Sequence, residues 1–361
     1  MIDAISFLAL SLLSIAFSHM IFARDRRSRL FWIVAPGVLL LFITHTLALV
    51  FALLSFALSI AVFLAGRAID RPRATARLPY AILLLLFVPD VFRHLGDNPV
   101  LWLGSAFFIV RQMMTVAQGL KNAVSLHEFI PALLISTFFF AALPSGPVFN
   151  GLKCWEKLRE SQAPDYREGG YRLFEGFVYL FAVAGFSAMA VSVVQEAEIG
   201  LGFSGGLLAV LSLTLIAKPL LSFAFLFATF YGYSRMAEGA ALLLGFEVPQ
   251  NFNKPHLARD LGDFWKRWHR SMADFVMQYI YLPLLVTTSR ARLALLAAFV
   301  FMGLWHDFSL GFLIWGVGHG VGLAYALPWA QRRKLSPITL RIGSLAYVII
   351  LSGVAHGVWS T

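Results

Sequence analysis

Three histidines in the last third of the chain lie among apolar and aromatic residues. His269 belongs to the tryptophan-rich stretch WKRWHRS, His306 ends an apolar run, and His319 lies between two glycines in WGVGHG. Imidazoles are rare among membrane spans unless they are paired, line a wet cavity or take part in chemistry. An imidazole can also take a proton from a hydroxyl group as a general base. The sequence therefore predicts the functional site at these three histidines.

Each histidine also has a structural interpretation that the residues alone leave open. His269 fits a solvated position on an interfacial helix, and His306 fits a histidine held by a hydrogen bond to a backbone carbonyl. His319 is flanked by Gly318 and Gly320, and such small residues permit close helix packing. This pattern favours packing or support of the site over direct chemistry for His319.

The segment around His269 predicts an amphipathic helix. With successive residues 100° apart, its charged residues fall on one arc and its aromatic residues on the opposite arc, with His269 near the boundary. Such a helix is suited to the membrane interface, with its aromatic face toward the lipid or the protein interior. The charged arc is Asp263, Lys266, Arg267, Arg270 and Asp274, and the apolar arc is Leu261, Phe264, Trp265, Trp268, Met272 and Phe275.

The composition of the whole chain is that of a membrane protein. Hydrophobic residues make up 59% of it, charged residues 13%, and the mean hydropathy is +0.76. Several continuous apolar runs approach or exceed the roughly 20 residues that a helix needs to cross a bilayer. They predict an all-α polytopic fold of about ten or eleven transmembrane or re-entrant helices, in one membrane-embedded domain over residues 1–361. These runs are Ala4–Ala23, Leu30–Ala65, Ala81–Phe92, Phe129–Ala142, Phe203–Phe230 and Pro337–Trp359.

The net charge of +10 comes from short basic loops, so it does not indicate a nucleic-acid partner. Positive charge in short loops marks the cytoplasmic side of a membrane protein. This predicts cytoplasmic loops at residues 24–29, 67–77 and 153–167. The run between the first two loops then crosses twice, with its turn near Thr44–Thr46, and the N-terminus lies outside the cytoplasm.

Cysteine and motif content narrow the chemistry. The single cysteine, Cys154, excludes an internal disulfide and a cysteine-based metal cluster, and its position beside Lys153 and Trp155 favours inert packing. No serine-hydrolase elbow or metal triad is evident. We therefore expect no covalent acyl-serine, no metal site and no tightly bound cofactor.

A series of motifs resembles the membrane-bound O-acyltransferase (MBOAT) family. The resemblance is closest to its bacterial branch, which includes alginate O-acetylation proteins and the teichoic-acid D-alanylation membrane protein. It is ordered and specific over a motif core at residues 251–325 and weaker upstream. The motifs are Asn251–Asn253 with Pro255, DFWKRWHRS at Asp263–Ser271, YIYLPL at Tyr279–Leu284, GLWHD at Gly303–Asp307 and LIWGVGHG at Leu313–Gly320.

The resemblance implies a ring of helices around a central tunnel, in which an activated acyl group meets an acceptor from the other face. It places the membrane-embedded histidine of the family at His306 and its second polar position at His269. Asp307 departs from the family pattern, because glycine is usual after that histidine. This departure puts the local backbone geometry in question and offers a carboxylate near the imidazole.

The resemblance also implies transfer of an acyl group, most simply acetyl, from a cytoplasmic thioester to an extracytoplasmic hydroxyl. Acyl-coenzyme A or an acyl carrier protein would be the donor, and the basic loops would attract its phosphates. The acceptor would be a polysaccharide or a periplasmic acetyltransferase partner. We expect His306 to be the general base and His269 to orient the acceptor or stabilise the oxyanion. The residues expected to line or support the tunnel are Trp265, Trp268, Trp305, Asp307, His319 and Asn253.

Two other classes stay open at this point. A transporter or channel would use intramembrane ionisable groups such as Arg111, Lys218 and Asp90. No inverted internal repeat is visible, although many transporters have one. We expect Arg111 and Lys218 to snorkel or to pair with an acid such as Glu128. A non-catalytic membrane scaffold is the third class, and it would be favoured if His269 and His306 faced apart.

Overall fold

The computed structural model describes residues 26–44, 46–69, 72–86, 88, 105–160, 163–201 and 216–356, and every regular element in these ranges is helical. This confirms the all-α prediction. Four of the described helices are long and apolar enough to cross a bilayer, and four shorter apolar helices accompany them. The four long helices are Thr46–Ala68, Tyr166–Ala197, Leu310–Arg332 and Pro337–Ala355. The predicted span Ala4–Ala23, residues 203–215 of the predicted span Phe203–Phe230, and Asp90 lie outside the described residues.

The chain divides into two compact units. The first comprises Met1–Gly176 and Tyr233–Gln250, and the second comprises Phe177–Gly232 and Asn251–Thr361. The single domain expected over residues 1–361 stays a prediction. All of the histidines singled out from the sequence belong to the second unit.

The first unit is built from short and long helices joined by tight connections. The turn predicted near Thr44–Thr46 falls at residue 45, which lies outside the described residues, so it stays a prediction. Residues 151–159 of the predicted 153–167 loop are helical, and the cytoplasmic position of that loop stays a prediction. The elements are α1 (Arg26–Thr44), α2 (Thr46–Ala68), α3 (Pro72–Arg77), the 3₁₀ helix Leu78–Leu86, α4 (Ser105–Lys121), α5 (Leu126–Phe138), the 3₁₀ helix Phe140–Ala142, α6 (Gly151–Arg159) and α7 (Tyr166–Val178).

A buried polar network joins three helices in the core of the first unit. The Gln112 amide of α4 donates hydrogen bonds to Ser55 Oγ of α2 at 3.1 Å and to Thr137 Oγ1 of α5 at 2.9 Å. The stacked rings of Phe63 and Phe129, with centroids 3.8 Å apart, also join α2 and α5. Satisfied hydrogen bonds in an apolar core favour one packing arrangement over others. This network therefore fixes the register of α2, α4 and α5.

Arg111 of α4 is fully buried in the same unit, with 0% of its surface exposed. Its Nη1 donates to the Ala142 carbonyl at 3.1 Å, and its guanidinium lies over the Phe149 ring at 5.0 Å. Glu128 forms an ion pair with Arg159 instead. The expectation that Arg111 snorkels or pairs with Glu128 is therefore wrong. A backbone carbonyl and an aromatic face occupy the positions where an acid was expected.

The second unit contains the predicted motif core. Its elements are the π-helical turn Tyr179–Val183, α8 (Ala184–Leu201), the part of α9 (Lys218–Leu243) that ends at Gly232, the 3₁₀ helix Pro255–Leu257, α10 (Leu261–Trp265), α11 (Arg270–Val276), the π-helical turn Met277–Tyr281, α12 (Leu282–Thr288), α13 (Ala291–His306), α14 (Leu310–Val321), the π-helical turn Gly322–Ala326, α15 (Leu327–Arg332) and α16 (Pro337–Ala355).

Glycines let α14 pack closely against α13 and α16. A Cβ atom added at Gly316 would lie 2.5 Å from the Phe299 carbonyl oxygen of α13. One added at Gly318 would lie 2.9 Å from the Leu351 side chain of α16, and one at Gly320 would lie 2.9 Å from Leu296. The close packing expected around His319 is therefore present. It brings this histidine into the interior between three helices.

Candidate active site

A cavity of about 80 Å³ lies within the second unit. His306, which is an exposed residue, borders it together with the predicted residues Trp265, Trp268 and His319. None of the described side chains that line it is acidic. The full lining is Phe223, Leu226, Phe230, Phe264, Trp265, Trp268, His306, Phe312, Trp315, His319, Val348, Ser352 and His356.

The junction of α13 and α14 positions His306. α13 ends at this histidine because Asp307 adopts an extended backbone, with φ −166° and ψ 140°. Ser309 then begins α14 by accepting a hydrogen bond from the Phe312 N–H at 3.4 Å. The two helices approach closely at Gly303, where an added Cβ atom would lie 2.3 Å from the Phe312 carbonyl oxygen. This confirms the helix break predicted from Asp307 and Ser309.

Aromatic contacts hold the His306 ring at the cavity. Its imidazole stacks on Phe312, with ring centroids 5.4 Å apart and planes at 27°, and meets Trp315 edge-on at 5.6 Å. Within the described ranges the imidazole makes no hydrogen bond, so the interpretation of a carbonyl-bound structural histidine has no support from its geometry. The ring nitrogens remain available to a molecule in the cavity.

His269 lies in a turn between two short helices. Its backbone is left-handed, with φ 44° and ψ 50°, and α11 begins directly after it. The turn is held by the preceding loop, because the Arg270 N–H donates to the Asn251 carbonyl and the Asn253 N–H donates to the Arg267 carbonyl, both at 2.9 Å. The prediction of one continuous amphipathic helix is therefore wrong. These long-range hydrogen bonds replace the helical ones.

The prediction of which side chains of that segment face inward is nevertheless correct. All six residues of the apolar arc are buried, and His269 itself is only 2% exposed. The Trp268 ring stacks on Phe223 and on Phe264, with centroids 5.4 Å and 5.5 Å apart. The aromatic face therefore packs into the protein interior, although the helix is interrupted.

His269 does not line the cavity that His306 borders. Its imidazole is edge-on to Phe230, with ring centroids 4.7 Å apart, and lies 5.8 Å from the Trp305 ring. Trp305, which is buried, also meets the His306 ring at 4.7 Å. The two histidines thus lie close to the same indole, and Trp305 connects them without lining the cavity.

His319 lies deeper than either of these histidines, with 0% of its surface exposed. Its ring is surrounded by Trp315 at 4.7 Å, Trp265 at 5.0 Å, Tyr347 at 5.8 Å and Phe299 at 6.1 Å, measured between ring centroids. The sequence indicated packing or support for this residue. The structure places it both in the packed interior and on the cavity wall.

Asn253 is not brought to the cavity. It is exposed, and its contacts are those of the backbone, since its N–H and its carbonyl both bond to Arg267. The buried asparagine of the motif is Asn251, whose Oδ1 accepts a hydrogen bond from Ser271. The motif therefore shapes the turn that carries His269.

His356 is a cavity residue that the sequence reasoning missed. Its Nδ1 lies 2.8 Å from the Ser352 carbonyl, so Nδ1 carries the hydrogen and Nε2 has a free lone pair. Its ring lies 5.3 Å from Phe312, on which His306 also packs. The criterion that selected the other three histidines, an imidazole in an apolar run, applies equally to this one in Pro337–Trp359.

The described residues offer no obvious metal site. Within the described ranges, no group of three or more His, Cys, Asp or Glu side chains is arranged to hold a metal ion. The absence of a tightly bound cofactor stays a prediction. The arrangement of an exposed imidazole at a small, largely aromatic cavity is suited to proton transfer with a small bound group.

These features define a multi-pass helical membrane protein with a histidine at an internal cavity. The model of the membrane-bound O-acyltransferase family matches residues 138–351, so the chain belongs to this family. The match includes all of the cavity residues except Ser352 and His356. The protein is an O-acyltransferase.

Comparison with individual proteins gives relatives with two acyl chemistries. A teichoic acid D-alanyltransferase of Bacillus subtilis is 24% identical, covering 89% of this chain and 87% of its own. A peptidoglycan O-acetyltransferase of Helicobacter pylori is 30% identical over 55% of this chain and 38% of its own. A probable alginate O-acetylase of Pseudomonas syringae is 30% identical over 76% of this chain and 46% of its own. The chain thus spans less than half the length of these two O-acetylating relatives.

Proposed function

We propose that this chain transfers a short acyl group, acetyl in the first instance, from a thioester to a hydroxyl group. The donor would be acyl-coenzyme A or an acyl carrier protein. The observation that carries the proposal is the exposed imidazole of His306 at a cavity that is otherwise lined mainly by aromatic side chains. A proton acceptor beside a small apolar space suits the reaction of a hydroxyl with a small acyl group.

The cavity supports acetyl over larger or charged acyl groups. Its volume of about 80 Å³ is small. An acetyl group has three non-hydrogen atoms and no charge. A D-alanyl group carries an ammonium ion, and no acidic side chain among the described lining residues would neutralise it. The lining therefore favours the chemistry of the O-acetylating relatives.

In the proposed reaction His306 acts as the general base. A ring nitrogen takes the proton of the acceptor hydroxyl while the hydroxyl oxygen attacks the thioester carbonyl carbon. The carbon–sulfur bond then breaks, and the imidazolium returns the proton to the leaving sulfur. General-base catalysis of this kind contributes about 10²–10⁴-fold to a rate. His269 acts as a positioning residue, because it contacts Trp305 rather than the cavity.

We propose an acceptor on the extracytoplasmic side of a bacterial inner membrane. It would be a polysaccharide, as the names of the alginate and peptidoglycan relatives suggest, or a periplasmic partner that relays the acetyl group. The N-terminus would be extracytoplasmic. The exposed Arg67 and Arg77, which lie on either side of the connection between α2 and α3, support a cytoplasmic position for that connection.

The test uses the full-length chain in membrane vesicles supplied with acetyl-labelled acetyl-coenzyme A. Alginate, peptidoglycan and teichoic acid are offered as acceptors in separate reactions. We expect label to appear on a polysaccharide with the unchanged chain. We expect a loss of about 100-fold or more for His306→Ala and His306→Gln, because neither replacement side chain is a base.

His127→Gln is the matched control, because His127 is an exposed histidine of the first unit. It should retain full transfer. Transfer that persists in purified His306→Ala protein would overturn the assignment of the base. Transfer of labelled D-alanine in preference to acetyl would overturn the assignment of the acyl group.

A further inference from the structure

Two hydrogen-bond donors without acceptors belong to contacting rings at the wall of the cavity. The Nε1 of Trp265 and both ring nitrogens of His319 are buried and have no hydrogen-bond partner among the residues that the structure describes. The rings are nearly perpendicular, with centroids 5.0 Å apart and planes at 84°. Both residues line the cavity that His306 borders.

The residues in ring contact with His319 supply no free acceptor. His319 is enclosed by the rings of Trp315, Phe299 and Tyr347. The Tyr347 hydroxyl, which might have reached it, donates instead to the Gly318 carbonyl at 2.6 Å. Buried polar groups in proteins are normally satisfied, and exceptions often mark the place of a ligand or a reacting group. The acceptor for these donors is therefore expected from the cavity.

We propose that the Trp265 and His319 N–H groups bind the carbonyl oxygen of the acyl group and stabilise its negative charge as the hydroxyl attacks. This inference rests on the proposed function and deepens it. The indole Nε1 is always a donor, and a neutral imidazole carries one N–H in either tautomer. When the acceptor oxygen adds to the carbonyl carbon, the π electrons of the C=O bond move to this oxygen, and they return as the C–S bond breaks.

This proposal gives His319 the role that the sequence suggested for His269. Two observations separate the two histidines. His319 lines the cavity, whereas His269 does not. The neighbours of His319 are aromatic rings without a free acceptor, whereas His269 contacts Trp305 and Phe230 at the turn before α11. Donors that are fixed before the reaction, in a site without water, stabilise a developing oxyanion most effectively.

The test compares variants that remove an N–H and keep the shape. Trp265→Phe keeps an aromatic ring without a donor, His319→Leu removes both nitrogens, and His319→Gln restores a donor. With acetyl-coenzyme A and the acceptor used above, we expect the first two to lower kcat by about 10²–10³-fold. The KM for acetyl-coenzyme A should change little, and His319→Gln should recover part of kcat.

Thermal unfolding in detergent distinguishes this role from a structural one. Because neither donor has a partner in the protein, Trp265→Phe and His319→Leu should lower the melting temperature by no more than the lost packing volume requires, and His319→Gln should be no more stable than His319→Leu. A fall in melting temperature that parallels the fall in kcat, without recovery in His319→Gln, would overturn the proposal, and so would an unchanged kcat in Trp265→Phe. If the unchanged chain transfers no acetyl group to any acceptor, the proposed function itself fails, and this inference falls with it.

Discussion

The imidazole of His269 lies against the indole of Trp305, with ring centroids 5.8 Å apart and planes at 48°. The same indole also meets the His306 ring, at 4.7 Å. A substitution at His269 can therefore shift the Trp305 side chain, and through it the ring of His306. Only His306 of these two histidines borders the cavity. This relationship supports the proposed positioning role of His269.

Substitutions at His269 should separate the effect of its backbone conformation on stability from the effect of its side chain on transfer. Its left-handed conformation, with φ 44°, costs most residues about 1–2 kcal/mol, whereas glycine and asparagine adopt it readily. We expect His269→Gly and His269→Asn to be more stable than His269→Ala in thermal unfolding. His269→Gly should nevertheless lose transfer, because Trp305 loses its contact. Equal stability of the glycine and alanine variants would contradict the backbone argument, and full transfer by His269→Gly would contradict the positioning role.

Local sequence signals identified much of this site. Asp307 and Ser309 correctly predicted the helix break that exposes His306, because an extended residue and a cap are local features. Periodicity also correctly predicted the buried side of the segment that includes Trp265 and Trp268. Both inferences depend on residues within a few positions of each other.

Features that depend on distant residues could not be read from the sequence. The turn at His269 exists because the Arg270 N–H bonds to the carbonyl of Asn251, 19 positions earlier, and helical periodicity contains no information on that contact. His356 joins the cavity only because α16 packs against α14. The missing acceptors of Trp265 and His319 likewise become visible only in three dimensions.

Gly303→Ala should disturb His306, the proposed general base, through the backbone. The added Cβ would lie 2.3 Å from the Phe312 carbonyl oxygen, so α13 and α14 must move apart. We expect a loss of stability of about 1–3 kcal/mol. Transfer should also fall, since His306 stacks on Phe312. Thermal unfolding and the acetyl-transfer assay measure the two effects.

Gly343→Ala on α16 is the control for that substitution. It lies in a helix, and an added Cβ would meet nothing within 4 Å. Alanine is the better helix former, so stability should be kept or raised. A Gly303→Ala protein as stable and active as Gly343→Ala would show that the contact between α13 and α14 is not tight.

The thiol of Cys154 should be unreactive at neutral pH. Burial raises its pKa to about 12, against the smaller opposing effect of the nearby Arg111 and Lys153 charges. At pH 8 roughly one thiol in 10⁴ would then be a thiolate, the form that reacts with maleimides. We expect maleimide labelling of the folded protein to be slow and to become fast only on unfolding. Cys154→Ala should retain acetyl transfer.

A cysteine placed next to it provides the comparison. Lys153 is exposed, so Lys153→Cys in a Cys154→Ala background should label quickly at pH 8. Labelling of the native Cys154 at the same rate would contradict the inert role that both the sequence and the structure assign to it.

The first unit should depend strongly on one arginine. Arg235 bonds to Glu175 at 2.6 Å and to Glu238 at 2.7 Å, and the Glu238 side chain is only 1% exposed. Removing one partner of a buried ion pair costs about 3–5 kcal/mol when the remaining charge has no compensation. Arg172, whose Nη1 lies 3.6 Å from the Glu238 carboxylate, compensates that charge only in part because it is the more distant arginine. We therefore expect Arg235→Ala to lower the melting temperature sharply. Lys157→Ala removes the same charge from the exposed pair with Glu160 and should leave the melting temperature nearly unchanged. Equal effects of the two variants would show that Glu238 is stabilised by its other contacts.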